Sequence, residues 1–284
     1  MSCRYHQPNT VPEALQLLET SPEAKLIAGG TDLMVQMAKS CSVRPPALIS
    51  LNRIEELTRI EGGNRLRIGS AVPVRQVAAH PTIAASFPAM VEAIRVLGSP
   101  QIRNVATLGG NLGNASPAAD TAPPLVAYGA KVELRDTTST RQLPVEDFIV
   151  GPGQTDLRPG EILTAILLEP PAPGTRSVFM RKGRVKMDLA IASVAALVEM
   201  DGPTCVAARL AAGAVAPKPL RLTGTEGVVV GSDLGQEPRR SAATKARAEV
   251  SPISDLRASE EYRRHLIGVF VERCLAALAG GDAW

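Results

Sequence analysis

Residues 102–130 read IRNVATLGGNLGNASPAADTAPPLVAYGA, a run of glycine, asparagine, serine and proline in the middle of the chain. The adjacent Gly109 and Gly110 remove the Cβ atoms that keep a ligand away from the main chain. Glycine also admits positive φ angles, so that successive N–H groups can converge on an anion. A second run of the same kind, AGGTDL, occupies Ala28 to Leu33. Phosphate is the natural guest of both. Thr31, Thr107, Asn111 and Ser116 add neutral hydrogen-bonding side chains, whereas an ionised Asp120 only accepts and so suits a sugar hydroxyl better than a phosphate. Together the two runs suit a nucleotide that carries a pyrophosphate and a ribose. Taken singly, each GG pair reads better as a tight turn, since Gly and Asn dominate turns.

The familiar glycine signatures do not fit. The spacing is not GxGxxG, the segment before Gly109 begins with polar SPQIRN rather than a buried strand, and GxxxxGK[ST] does not occur. A different nucleotide-binding architecture is required.

Composition narrows the partners. The chain has 284 residues, 45% of them hydrophobic, which is enough for one large domain or two to three small ones with proper cores. Its net charge is only +3 and the charges are interspersed, with no basic run among aromatics, so nucleic acid is not the expected partner. The first ten residues, MSCRYHQPNT, hold no apolar h-region. No window approaches the roughly 18 uninterrupted apolar residues needed to span a bilayer, so the chain reads as cytoplasmic without membrane insertion. Cys3, Cys41, Cys205 and Cys274 form no CxxC pair, and His6, His80 and His265 are equally scattered, which gives no local metal or iron–sulfur motif.

Along the chain, Thr10 and Glu13 have capping-box spacing and Val11, Ala14, Leu15 and Leu18 line one helical face. A strand over Lys25 to Ala28, a helix over Met34 to Lys39 and a strand over Ala47 to Leu51 complete a small β–α–β-like unit. Thr58 to Ser70 reads as a hairpin turning at Gly62-Gly63-Asn64, and Lys131 to Asp136 and Glu161 to Glu169 read as further strands. LEPPAPGTR, 168–176, reads as a boundary. Leu189 to Met200 and Cys205 to Ala214 read as two strands, or as a helix and a strand, around Asp201-Gly202. A helix follows Ser259, with Tyr262, Leu266, Val269 and Phe270 on one face, and ends at Gly280-Gly281.

Nearly the whole chain resembles, in order, the flavoprotein (medium) subunit of molybdenum hydroxylases, the family of carbon monoxide dehydrogenase and bacterial xanthine dehydrogenase-like enzymes. The resemblance rests on AGGTDL, SPQIRNVATLGGNLGNASPAADTAP, RPGEILTAI, FMRKGRVKMDLAIASVA and SEEYRRHLIGVFVERCL. It implies an α+β chain: a vanillyl-alcohol-oxidase-type FAD-binding fold of two α/β subdomains, 1–56 and 57–175, followed by a C-terminal α+β domain, 176–284. It implies noncovalent FAD, with one phosphate nest along Ile27, Ala28, Gly29, Gly30, Thr31, Asp32 and Leu33. Thr107, Leu108, Gly109, Gly110, Asn111 and Ser116 form the other side, and Asp120 meets a sugar hydroxyl. Leu163 would pack near the flavin or adenine, and the Asp188-Leu189 pair would lie beside the isoalloxazine.

The resemblance also implies partners: a large subunit with the molybdenum cofactor and a small one with [2Fe-2S] clusters, joined as a dimer of heterotrimers. Electrons from substrate would pass through those clusters to FAD and on to an external acceptor, with no catalytic residue in this chain. The rival readings are a free-standing FAD-dependent reductase, as in UDP-N-acetylenolpyruvoylglucosamine reductase, and a non-catalytic flavin-binding protein. Two departures stand out. Many relatives carry lysine seven or eight residues before the Asp188 equivalent, where this chain has Arg181 and Met180, and some carry tyrosine in place of Leu189. GGNLGNASPAAD runs on without the cysteine-rich loop of the 4-hydroxybenzoyl-CoA reductase branch.

Overall fold

The computed structural model describes residues 3–39, 44–63 and 65–280; Cys41, Asn64 and Gly281 lie outside them. Three short parallel strands come first, β1 (Arg4–His6), β2 (Lys25–Ile27) and β3 (Ala47–Ser50), in the order β1-β3-β2. They are linked through α1 (Val11–Thr20) and α2 (Leu33–Lys39). Thr10 Oγ1 accepts from the Glu13 amide at 3.3 Å, and the Glu13 carboxylate accepts from the Asn9 amide at 2.8 Å, so α1 starts where the capping spacing places it. Its buried face is Val11, Ala14, Leu15 and Leu18, as the periodicity predicts. Strand β1 has no apolar alternation to announce it; it forms because β3 offers an edge, with Tyr5 opposite Leu48.

Next come β4 (Ile60–Glu61) and β5 (Leu66–Gly69), the expected hairpin, in register at Ile60 and Ile68. A helical layer then intervenes: α3 (Val74–Ala79), α4 (Pro81–Ser86), α5 (Pro88–Val96), α6 (Pro100–Val105), α7 (Leu108–Gly113) and α8 (Ala122–Ala127). Four of these, α4, α5, α6 and α8, carry proline at their first or second position, where its missing N–H costs nothing and its fixed φ suits the helix. The chain continues through β6 (Lys131–Arg135), β7 (Thr140–Pro144), α9 (Val145–Phe148), the hairpin β8 (Ile149–Gly151) and β9 (Gln154–Thr155), and β10 (Ile162–Leu168). Strand β10 enters between β5 and β6, giving an antiparallel sheet in the order β4-β5-β10-β6-β7.

The C-terminal sheet is antiparallel, β11 (Arg176–Lys182), β12 (Ala192–Asp201), β13 (Thr204–Gly213) and β14 (Leu220–Arg221) in that order. It is followed by α10 (Thr223–Val229), α11 (Gln236–Glu249) and α12 (Glu260–Leu278). Both segments around Asp201-Gly202 are therefore strands. Along β12, Val194, Ala196 and Val198 enter one core with Leu266, Ile267 and Phe270 of α12, while Ala195 and Leu197 enter another with Met90 and Leu125. Burial on both faces is what made its apolar run ambiguous. On α12 the buried face is Arg263, Leu266, Ile267, Phe270, Val271 and Cys274, while Tyr262 is exposed and Val269 half-buried, so the predicted stripe is rotated. A third core joins α1 and β3 to Ala71 and Ile162, linking the first sheet to the second.

The glycine run Gly109-Gly110 is the first turn of α7, capped by Thr107. A Cβ on Gly109 would lie 2.5 Å from Ser70 Cβ and 2.6 Å from Ser70 O, whereas one on Gly113 meets nothing within 4 Å. Gly109→Ala should therefore destabilise the protein by about 1–3 kcal/mol. Gly113→Ala should be neutral or stabilise by up to about 1 kcal/mol. Thermal unfolding of the two variants checks this; equal melting temperatures would contradict it.

Candidate functional site

Strand β2 ends at Ile27 and α2 begins at Leu33, so Ala28 to Asp32 form the link between them. Gly30 sits at φ +68°, a conformation only glycine adopts without strain, and its missing side chain leaves room for Ile27 and Met34. Among the described residues, the amides of Gly29, Gly30, Thr31 and Asp32 have no hydrogen-bond acceptor. The turn is anchored from its carbonyl side instead: Asn52 Nδ2 donates to Ala28 O at 3.1 Å, and Gly30 O and Asp32 O accept from Met34 and Gln36 at 3.0 and 2.9 Å. A half-buried row of free amides next to a left-handed glycine can bind an anion.

The second run behaves differently. Leu108 donates to Val72 O at 3.2 Å, Gly109 to Ser70 O at 3.0 Å, Gly110 to Thr107 Oγ1 at 3.0 Å and Asn111 to Thr107 O at 2.9 Å. The expectation of converging free amides over Thr107 to Asn111 is not met from Leu108 onward, because helix capping and the segment Ser70 to Val72 after β5 use those amides. Nor do Gly109 and Gly110 have positive φ. Gly109 is needed for contact with Ser70, while at Gly110 a Cβ would meet only the Thr107 hydroxyl, at 2.9 Å. Gly110 thus leaves an open face. Ser116 Oγ accepts from the Ala118 amide at 3.3 Å, and Asn111 Oδ1 accepts from Thr121 Oγ1 at 2.6 Å.

The two runs meet. A Cβ on Gly29 would lie 2.1 Å from Val105 O and 2.9 Å from Ala106 Cα, so the first turn rests on the junction between α6 and α7, beside Thr107. Gln36 Nε2 reaches Asn114 Oδ1 at 3.3 Å across the same seam.

Asp120 lies in the turn before α8. Its side chain is 8% exposed, and that of Arg181, whose Nη1 donates to Asp120 Oδ2 at 3.2 Å, is 9% exposed. The same Nη1 donates to Val96 O at 2.8 Å, and Nη2 donates to Asp188 O. Asp120 Oδ1 is buried and, among the described residues, has no hydrogen-bond partner. Burial pushes this carboxyl up to about 7, against the opposing pull of Arg181. A buried carboxylate oxygen with nothing donating to it is the feature that a sugar hydroxyl would complete. Asp188 differs: its carboxylate accepts from Arg184 Nε at 2.7 Å and from the Leu189 amide at 2.9 Å, and the Arg184 hydrogen bond holds it below the usual range.

The structure gathers Ala28 to Leu33 with Thr107 to Asn111, and Asp120 with the backbone of Asp188. Leu189 is 47% exposed on the loop between β11 and β12, not in the core. Leu163 is in the core, 6% exposed, at a bulge where β10 pairs with β6; its neighbour Thr164 O accepts from Ser70 at 3.0 Å. Its side chain therefore faces no open surface. Arg181 was read from the sequence only as a departure, and nothing there signalled its link to Asp120, 61 residues away. Ser70, Gln36 and Asn52 carry no motif signal either. Three cysteines are described: Cys3 is exposed, and Cys205 and Cys274 are buried free thiols. Among the described residues, no helix is long and apolar enough to cross a membrane.

Comparison with known proteins places the chain in a family. Residues 1–171 match the FAD binding domain in molybdopterin dehydrogenase, and residues 177–278 match the CO dehydrogenase flavoprotein C-terminal domain. A putative xanthine dehydrogenase FAD-binding subunit of Escherichia coli (strain K12) is 35% identical over 98% of this chain and 97% of its own. The carbon monoxide dehydrogenase medium chain of Hydrogenophaga pseudoflava is 32% identical over 96% of each. The solved structure of carbon monoxide dehydrogenase from Hydrogenophaga pseudoflava, in a form lacking the Mo-pyranopterin moiety of the molybdenum cofactor, superposes with a TM-score of 0.94 at 31% identity. That match covers 99% of this chain and 98% of that one. The chain belongs to the FAD-binding medium subunits of the molybdenum hydroxylases and is an oxidoreductase subunit of α+β fold.

Proposed function

We propose that this chain holds FAD noncovalently in the seam between its two glycine runs and acts as the electron relay of a cytoplasmic molybdenum hydroxylase complex. The observation that carries the site is the buried, unpartnered Asp120 Oδ1, next to Thr121, whose hydroxyl donates to Asn111 of the second run. In this reading the free amides of Gly29 to Asp32 bind the pyrophosphate, with Ile27 and Leu33 bounding the turn. Thr107 and Leu108 to Asn111 form the opposite wall, where Gly110 lets the ligand approach. Asp120 Oδ1 accepts from a sugar hydroxyl. Ser116 keeps its own O–H free to donate, and Asp188 and Leu189 border the flavin ring. Leu163 acts through the backbone bulge it occupies, since its side chain is committed to the core. The same reading divides the chain at 1–56, 57–175 and 176–284.

FAD, when bound, supplies the redox chemistry that passes electrons from the [2Fe-2S] clusters of a small partner, fed by the molybdenum cofactor of a large partner, to an external acceptor. The residues of this chain bind and orient. The medium-chain names of the relatives support large and small partners, and the reading places them in a dimer of heterotrimers.

Three outcomes follow. The purified chain should release FAD on denaturation at about one per chain, and a different flavin or a covalently retained one would contradict the reading. Gly29→Ala, which sets a Cβ against the Val105 carbonyl, should lose FAD on gel filtration while keeping its circular dichroism; a wild-type flavin ratio would contradict the assignment of the seam. The isolated chain should oxidise no hydroxylase substrate, whereas adding substrate to the whole complex should bleach its flavin. Bleaching by the chain alone would defeat the relay.

A further inference from the structure

Arg181 is the one charged side chain that, among the described residues, forms an ion pair with Asp120. It is also tied down independently. Besides Asp120 Oδ2 it donates to Val96 O at the end of α5 and to Asp188 O in the loop after β11, so both guanidinium nitrogens that face the site are committed. A planar fork fixed by two carbonyls offers the carboxylate a single docking position. Oδ2 takes that position, and Oδ1 is the atom left without a donor.

Resting on the FAD reading above, we propose that Arg181 is a positioning residue that acts through Asp120, keeping this buried carboxylate charged and turned so that Oδ1 faces the flavin's sugar chain. Charge is the vulnerable quantity. Burial already raises Asp120 to about 7 with Arg181 in place, so removal of the cation leaves a carboxyl that is protonated at neutral pH. A protonated Asp120 is a weaker acceptor for the sugar hydroxyl.

Several other charged groups on the elements around this pair are engaged elsewhere, while Arg95 of α5 and Lys182 of β11 lie next in sequence to Val96 and Arg181. Arg184 is paired with Asp188 at 2.7 Å on the loop, and Glu92 of α5 accepts from the Phe179 amide at 2.6 Å. Arg103 of α6 donates to Leu97 O and Gly98 O at 2.9 Å each. Arg263 of α12 pairs with Asp255 at 2.7 Å and holds Ile191 O and Ala214 O. Helices α7 and α8 carry no titratable side chain.

The sign of the pH dependence follows. The sugar hydroxyl stabilises the ionised form of Asp120, so FAD binding lowers its pKa. Affinity is therefore full above about 7 and weakens as pH falls through that value, by up to about tenfold per pH unit. Removing Arg181 raises the pKa of the empty site and moves this fall to higher pH.

The test is titration of flavin-free protein with FAD from about pH 6 to 9, followed by flavin fluorescence, with folding checked by circular dichroism. Arg181→Met should shift the midpoint upward by about 1–3 pH units and weaken binding at neutral pH by about tenfold or more. Arg181→Lys should restore the wild-type midpoint, and Asp120→Asn should flatten the profile. Wild-type affinity and midpoint in Arg181→Met would overturn the proposal. If that single variant does not fold, Arg181→Met combined with Asp120→Asn removes both charges together. Its affinity should match that of Asp120→Asn within about twofold. A further loss of about tenfold would show that Arg181 acts other than through Asp120 and would overturn the inference. Wild-type protein that takes up no FAD at any pH sinks the site assignment itself, a result distinct from either.

Discussion

The seam depends on backbone approaching backbone more closely than any side chain permits. Gly29 lies against the Val105 carbonyl, and Gly109 against Ser70, at distances where an added Cβ would stand 2.1 and 2.5 Å from its nearest neighbour. The first contact seats the parallel β1-β3-β2 sheet on the α6–α7 junction. The second seats α7 on Ser70, just after β5, whose amide donates to Thr164 O of β10, and so on the antiparallel sheet. Both contacts are made by glycines whose value is the absent side chain, not a special φ. Of the paired glycines Gly29-Gly30 and Gly109-Gly110, Gly30 alone has a left-handed backbone.

Once the seam is fixed, the two runs divide the work. The first keeps its amides unpaired because a short link between β2 and α2 cannot bond them internally. The second uses its amides to cap α7 and to reach the segment just after β5, and contributes surface rather than donors. In the proposed site the acceptor for a sugar comes from a third place, the Asp120 turn, where the C-terminal sheet supplies Arg181. The C-terminal unit thus pairs Arg181 with Asp120 on one side of its sheet while the other packs on α12, whose Arg263 bonds Ile191 O just before β12 and Ala214 O just after β13.

Much of this was legible in the sequence, for identifiable reasons. The capping pair Thr10 and Glu13, the four-residue stripe of α1 and the start of α12 after Ser259 are local signals, and each lies where the pattern placed it. The two glycine runs do meet in the fold, but a helix beginning with Leu-Gly-Gly reads as a turn, since glycine is a poor helix former. Helices α3 to α8 are too short to show periodicity, and their leading prolines look like breakers although they start the helices. The Asp120–Arg181 pair was out of reach because the two residues come from separate units and only folding brings them together. The core position of Leu163 was hidden for the same reason: a bulge, not a motif, sets it.

The central claim is that FAD lies in the seam with its pyrophosphate on the first glycine run and a sugar hydroxyl on Asp120. A crystal structure of the FAD-loaded chain tests it most directly. The account predicts phosphate oxygens within hydrogen-bond distance of the amides of Gly29 to Asp32, and a flavin sugar hydroxyl within that distance of Asp120 Oδ1 while Oδ2 stays on Arg181. Flavin density away from the first run, or an Asp120 Oδ1 that faces no ligand hydroxyl, would contradict it.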